Sequence, residues 1–258
     1  MSIQCCEDKS LFYSPQEVAA LQRRPLPRHV AIIMDGNRRW VKRNSLAAAA
    51  SQFKGHWVGA AVLADIVEAA DALGIEVLTV FAFSTENWSR SEKEIEAIFS
   101  IIETYLKNNC EKMCENGVRF DVIGDLTPFP SYLKKEIARV KEATQEGKKI
   151  DLVIALNYGS RDEMRRVVTK IAEDYAAQKI KKNAITEEFI SEYLDTARWG
   201  DPDLLIRTSG EMRISNFMLW QMAYAEMYVT DVLWPDFTPD ELLKAVKSYQ
   251  ERQRRMGK

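Results

Sequence analysis

Short apolar runs bounded by polar turns recur along this chain, and longer amphipathic stretches separate them. "HVAIIM" (29–34) and "EVLTVFAF" (76–83) have strand length and the near-continuous apolar character of buried strands, and "VRFDVIG" (118–124) and "IDLVIALNYG" (150–159) read as two further strands. "DLLIRT" and "EMYVT" are shorter candidates. Between the runs the period changes. Leu63, Ile66, Val67, Ala70 and Leu73 share one helical face ahead of Gly74. Ile95, Ile98, Phe99, Ile102, Leu106 and Met113 share another across 91–116, with Glu92, Glu94 and Glu96 in the first turns and Gly117 as the stop. Further helices are expected at 132–145, 161–178, 186–194 and 238–254, and Ser14-Pro15-Gln16-Glu17 opens a short one to about Arg23. Strands alternating with helices imply βαβ units and a mostly parallel sheet in one α/β domain. A segment over 1–27 with its short helix precedes that domain at 28–258, and "LAAAASQF" (46–53) reads as a loop or a short exposed helix.

Composition removes several functions. Lys and Arg (36) nearly balance Asp and Glu (38), so no global basic field draws in nucleic acid, and any anion recognition is local. Cys5 and Cys6 are adjacent, while Cys110 and Cys114 have helical spacing; both pairs are expected as free thiols in a reducing compartment. With only His29 and His56 available, zinc is a poor prospect. "MSIQCCEDKS" lacks the features of a secretory signal, and the longest apolar runs, such as Ile214–Ala225, fall short of the ~18 residues a membrane span requires. A soluble, cytoplasmic protein is expected, one that can still act at a membrane surface.

In open parallel sheets ligands bind beyond the carboxyl ends of the strands. Here the first strand is followed by Asp35-Gly36-Asn37-Arg38-Arg39-Trp40 and the second by Ser84-Thr85-Glu86-Asn87-Trp88-Ser89-Arg90. The fourth is followed by Asn157-Tyr158-Gly159-Ser160-Arg161, and "DLLI" by Arg207-Thr208-Ser209-Gly210-Glu211-Met212-Arg213-Ile214-Ser215-Asn216. Taken singly, each is an ordinary turn or a solvated arginine. Together they place guanidiniums, small hydroxyls and amides at one edge, which is equipment for phosphate oxygens. The chain has no G-x-x-x-x-G-K-[ST] and no G-x-G-x-x-G, so neither a P-loop nor a dinucleotide site is expected. Asp35 and Glu226 suit Mg²⁺, which takes one or two carboxylates and completes its shell with substrate phosphates and water. Diphosphate chemistry with Mg²⁺ follows; the substrate does not.

"HVAIIMDGNRRW", "GHWVG", "FAFSTENWSR", "NYGSR" and "DLLIRTSGEMRISNFMLWQMAYAEMYVTDVLWPDF" resemble the ordered motifs of the cis-prenyltransferases, the bacterial undecaprenyl diphosphate synthases most of all, over about 27–254. The resemblance implies a six-stranded, largely parallel sheet flanked by helices, an apolar tunnel, a homodimer, and Mg²⁺-dependent condensation of isopentenyl diphosphate with an allylic diphosphate. It implies that Asp35 holds Mg²⁺ on the allylic diphosphate, with Gly36, Asn37, Arg39 and His56 around it. Arg207, Arg213 and Ser215 would clamp isopentenyl diphosphate, Glu211 would position the arginines, and Glu226 would assist through metal. Asn87, Trp88 and Arg90 would lie on a mobile loop, Asn87 with a catalytic part. Arg38, Trp40, Ser84, Thr85 and Glu86 complete the expected substrate contacts. The long helix over 91–116 and the strand "EVLTVFAF" would wall the tunnel, although Ile98, Phe99, Ile102 and Leu106 each read equally well as core. Two departures stand out. Arg38 replaces a frequent glycine, and Gln52 stands where an arginine is expected to reach the allylic diphosphate, leaving that task to Arg43 or Lys54, or the site weaker. Trans-prenyltransferases use D-D-x-x-D, and this chain has no adjacent Asp-Asp.

Overall fold

Six strands hydrogen-bond in the order β3-β4-β2-β1-β5-β6 in the computed structural model, which describes residues 12–44 and 53–252. They are β1 His29–Ile33, β2 Val77–Ser84, β3 Val118–Ile123, β4 Ile150–Tyr158, β5 Leu204–Arg207 and β6 Glu226–Val229. All five neighbouring pairs are parallel. The helices are α1 Pro15–Leu21, α2 Asn37–Arg43, α3 Lys54–Leu73, α4 Glu92–Asn116, α5 Ser131–Thr144, α6 Ser160–Ala176, α7 Glu187–Ser191 and α8 Pro239–Glu251. The capping box at Ser14 and Glu17 forms, and Gly74 and Gly117 cap α3 and α4.

Alternation along the strands divides the core in two. Val30, Ile32, Leu78, Val80, Leu152 and Ile154 join the larger cluster with the apolar faces of α3, α4, α5 and α8. Ala31, Ile33, Val153, Ala155 and Leu205 join a smaller one with Trp199, Phe217, Met218 and Met222. The run 214–225 therefore covers a sheet face, and no described helix is long and apolar enough to cross a membrane. A register shift between Phe81 and Phe83 inserts Ala82 as an irregularity near the end of β2. Phe81 then belongs to the smaller cluster and Phe83 to the larger, so the strand changes phase at the site edge.

The structure differs from the sequence reading in two elements. α2 is a helix with no buried residue, so it carries no apolar period to read. α7 stops at Ser191 because the chain then turns to bury Leu194 and Trp199. Cys110 is buried and Cys114 exposed, both free. Cys5, Cys6, Gln52 and all of "LAAAASQF" except Phe53 lie outside the described residues.

The chain moves from β1 to β2 on one side and later to β5 on the other. The order reverses between β1 and β5, and a crevice opens beyond their carboxyl ends.

Candidate active site

The β1–β5 ladder ends with Ile33 opposite Arg207, which brings the two expected charges together. The Asp35 N–H donates to Thr208 Oγ1 at 2.8 Å, and that hydroxyl donates back to the Asp35 carbonyl at 2.6 Å. With its backbone clamped, Asp35 accepts from the Gly36 N–H at 2.7 Å through Oδ1 and from Arg207 Nη2 at 2.9 Å through Oδ2. Arg39 Nη2 stands 3.4 Å from Oδ1. Burial alone would raise the Asp35 carboxyl; donation from Arg207 and Gly36 and the charges of Arg207 and Arg39 hold it below the usual range. Gly36 has φ +110°, and a Cβ there would stand 3.0 Å from Leu233, so the turn into α2 demands glycine.

Arg207 is almost fully buried, and its Nη1 donates to Ser215 Oγ at 2.8 Å and to the Arg213 carbonyl. Its Nε has no partner, nor does the buried Asn37 Oδ1. A buried guanidinium with an idle donor at an open crevice is suited to an anion. Glu211 stands between Arg39, at 3.2 Å, and Arg213. On the opposite rim the buried Glu94 joins Arg38 and, at 2.8 Å, Arg90. His56 lies beside them; burial first, then the Arg90 and Arg38 charges, lower its pKa to about 4, so it is neutral at pH 7.

These groups surround the mouth of a cavity of about 780 Å³. Inside, the lining turns apolar: Ala60 and Leu63 of α3, Phe81 and Ala82 of β2, and Ile98, Ile101, Ile102 and Tyr105 of α4. The site is thus a polar mouth on a greasy pocket.

A family model described as "Putative undecaprenyl diphosphate synthase" matches residues 33–257. The chain belongs to this prenyltransferase family. The "Isoprenyl transferase" of Chlamydia caviae is 51% identical over 233 residues, 90% of this chain and 93% of that one. Its Chlamydia abortus counterpart is 49% identical over 96% of this chain and 100% of its own. Among solved structures, the lavandulyl diphosphate synthase of Lavandula x intermedia in complex with dimethylallyl diphosphate superposes with a TM-score of 0.87 at 34% identity, covering 90% of this chain and 99% of that one. A "probable undecaprenyl diphosphate synthase" from Campylobacter jejuni gives 0.74 at 32% identity over 91% and 99%. The protein is a prenyltransferase enzyme.

The prenyltransferase gathers Asp35, Gly36, Asn37, Arg38, Arg39, His56, Ser84, Glu86, Asn87, Arg90, Arg207, Arg213 and Ser215 on one cavity. Five expected residues lie elsewhere. Trp40 donates its indole N–H to Asp236 at 2.7 Å, on the side of α2 where Arg43 pairs with the same carboxylate. The Thr85 hydroxyl turns to Glu86. Trp88 donates to Asn157 Oδ1 at 2.8 Å and packs among Phe83, Phe99 and Phe129. Glu211 is absent from the cavity lining and pairs with Arg39 and Arg213. Glu226 opens β6 opposite Leu204, at the amino edge of the sheet, and pairs with Arg252 at 2.7 Å; the fold of one chain does not bring it to Asp35. Residues 85–89, in the segment expected as a mobile loop, form a 3₁₀ turn in which Asn87 Oδ1 accepts from the Ser84 N–H at 3.2 Å. Arg43 is held by Asp236 and Lys54 is exposed, so neither lines the cavity in place of Gln52.

Sequence reasoning missed Thr208, Glu94 and Tyr105. The four-residue spacing of Arg90 and Glu94 on a helix start was a signal for the second, and the place of Thr208 directly after Arg207 at a strand end was one for the first; Tyr105 carried none.

Proposed function

We propose that this prenyltransferase condenses isopentenyl diphosphate with an allylic diphosphate, farnesyl diphosphate as primer, and repeats the step in cis to give a long polyprenyl diphosphate of the undecaprenyl type. One observation carries the reading: Asp35, Arg39, Arg207 and Arg213 edge the mouth of a cavity whose interior is apolar. The allylic C–O bond breaks, diphosphate departs, the isopentenyl double bond attacks the carbon left behind, and a proton is lost from the adduct. Charge therefore grows on the departing diphosphate, where fixed donors act most strongly. Arg207, with its free Nε, and Arg213 suit the isopentenyl diphosphate; Arg39, the neutral His56 and Asn37 suit the allylic one. A greasy interior keeps water from the allylic cation.

Mg²⁺ fits the donor set. Among the described residues no three His, Cys, Asp or Glu side chains could cage a metal, but one ionised carboxylate is what Mg²⁺ takes when phosphates and water fill its shell. Asp35 would hold it, and the ion would supply positive charge to the departing diphosphate. The reading further pairs two copies of the chain and has the product leave to a membrane surface at the cytoplasmic face, bearing the lipid carrier for cell-wall synthesis. Met212 and Tyr224, 85% and 76% exposed in the connection between β5 and β6, support an apolar contact there.

The test is Mg²⁺-dependent transfer of labelled isopentenyl diphosphate onto farnesyl diphosphate by the purified chain, with the dephosphorylated product sized by chromatography. Absence of transfer from the chain alone, restored by a partner subunit, would replace this reading with an accessory role.

A further inference from the structure

Glu94, at the third position of α4, is buried at the rim of the cavity, whereas Asp35, Glu86 and Glu211 keep more surface. A carboxylate so placed needs partners if it is to stay charged. Burial alone would raise the Glu94 carboxyl; donation from Arg38 and the charges of Arg90 and Arg38 hold it below the usual range. His56 beside them is neutral at pH 7, so the two arginines are what answer Glu94.

They do not answer it equally. Arg38 grips with two N–H groups, Nη2 on Oε2 and Nε on Oε1 at 3.2 Å. Arg90 gives one, from Nη1 to Oε1 at 2.8 Å, and its guanidinium makes no other bond among the described residues. Both arginines line the cavity. Arg38 thus occupies one oxygen outright and shares the other. Two guanidiniums against one carboxylate leave a single net positive charge at this corner. Without Arg38 that surplus vanishes. The carboxylate would still be buried, and Arg90, its remaining described partner, would be drawn onto both oxygens.

We propose that Arg38 is a positioning residue for the allylic side of the site: it satisfies Glu94 so that Arg90 stays available to the diphosphate, an inference that rests on the function proposed above. Arg38 comes from α2 and Arg90 from the segment that follows β2, so the pairing also sets how two separate elements share one charge. α2 buries no residue, which makes this grip part of what fixes it beside α4. The isopentenyl clamp, Arg207 and Arg213, lies across the mouth and takes no part in the pairing.

Calorimetry of farnesyl diphosphate with Mg²⁺, in the absence of isopentenyl diphosphate, tests this without turnover. Arg38→Ala should weaken binding by about 10-fold, the scale of one charged hydrogen bond. The double variant Arg38→Ala/Glu94→Gln should return to within about 3-fold of native, because no carboxylate is left to hold Arg90. It loses both partners of one pair together, which costs a fold less than leaving one behind; should it still unfold, Arg38→Ala/Glu94→Ala repeats the contrast. Equal weakening in the single and double variants would mean that Arg38 itself grips the diphosphate, and it overturns the proposal, as does native affinity in Arg38→Ala. In steady state Arg38→Ala should raise the KM of farnesyl diphosphate and leave that of isopentenyl diphosphate unchanged; a rise in both also overturns it. If the native chain does not bind farnesyl diphosphate, the proposed function fails and inorganic pyrophosphate is taken through the same variants. Rescue by the double variant then still supports the shared charge, and no pyrophosphate binding by the native chain sinks it.

Discussion

The two edges of this sheet carry similar charges and use them differently. At the amino edge, Asp203 accepts the Arg28 and His29 N–H groups at 2.8 and 3.1 Å, and the His29 ring is held between Thr79 Oγ1, at 2.8 Å, and the Gly200 carbonyl, at 3.1 Å. These groups tie strands to their neighbours and leave His29 with no exposed surface. At the carboxyl edge, Asp35 and Arg207 also pair, but they line a cavity and leave the Arg207 Nε idle. A parallel sheet makes this division by construction. Every strand points the same way, so the loops that begin beyond the carboxyl ends converge on one crevice, while the amino ends only receive the chain. A charge that closes on its own neighbours holds the fold; a charge left facing a cavity is available to a ligand.

Breaking the carboxyl edge should show most. Asp35→Ala should lower turnover by about three orders of magnitude or more, the scale of losing a group that acts on transition-state charge. The melting temperature should fall by several degrees as well, because the nearly buried Arg207 guanidinium loses its carboxylate partner. Steady-state kinetics beside thermal unfolding checks this, and near-native turnover would remove Asp35 from the chemistry.

The amino edge should answer to pH instead. Burial is the main reason that the His29 pKa falls from 6.5 to about 4. The folded chain therefore binds fewer protons at this site than the unfolded chain between those values. Stability from the neutral ring is complete above pH 6.5 and is lost as the pH drops toward 4, by up to about 3 kcal/mol. His56 adds a loss in the same window. Urea midpoints at pH 7.5 and 4.5 should draw closer in His29→Gln than in the native chain; an equal gap would exclude His29 as the source.

Much of this division was legible in the sequence. Apolar runs and helical periods located the strands and long helices, and the polar residues after "HVAIIM" and "DLLI" marked the edge that lines the cavity. What stayed hidden depended on direction. "EMYVT" reads as a strand, but its register decides that Glu226 starts it at the amino edge opposite Leu204. Trp40 and Trp88 follow strands as expected, yet each turns its indole to a neighbour, Asp236 or Asn157. α2 could not be seen because a helix that buries nothing leaves no pattern. Ile98 and Ile102 line the cavity, whereas Phe99 packs with Phe83 and Phe129 and Leu106 lies wholly within the core. One helix supplies both sets, and only its rotation about its own axis separates them.

A milder cut sharpens the contrast within the carboxyl edge. Arg207→Ala should raise the KM for isopentenyl diphosphate by about 10- to 100-fold, or 1.4 to 2.8 kcal/mol, with a smaller change in the KM of the allylic substrate. It also removes the strongest donor to Asp35, so the acid limb of the pH–rate profile should move upward. An unchanged KM would take Arg207 out of the diphosphate clamp, while equal changes in both constants would place it on neither substrate in particular.

The smallest effect is expected from Glu226, the carboxylate that most resembles Asp35 on paper. Its pair with Arg252 at 2.7 Å is partly exposed, and exposed ion pairs contribute about 0–1 kcal/mol. Glu226→Gln should therefore shift the urea unfolding free energy by less than about 1 kcal/mol, and the shift should shrink further in high salt because an exposed pair is screened. Arg252→Gln should give the same small shift, and the double variant should add little to either. A loss several times larger in Glu226→Gln than in Arg252→Gln would mean that this carboxylate has a second partner besides Arg252, and that the amino edge is not closed on itself as one chain presents it.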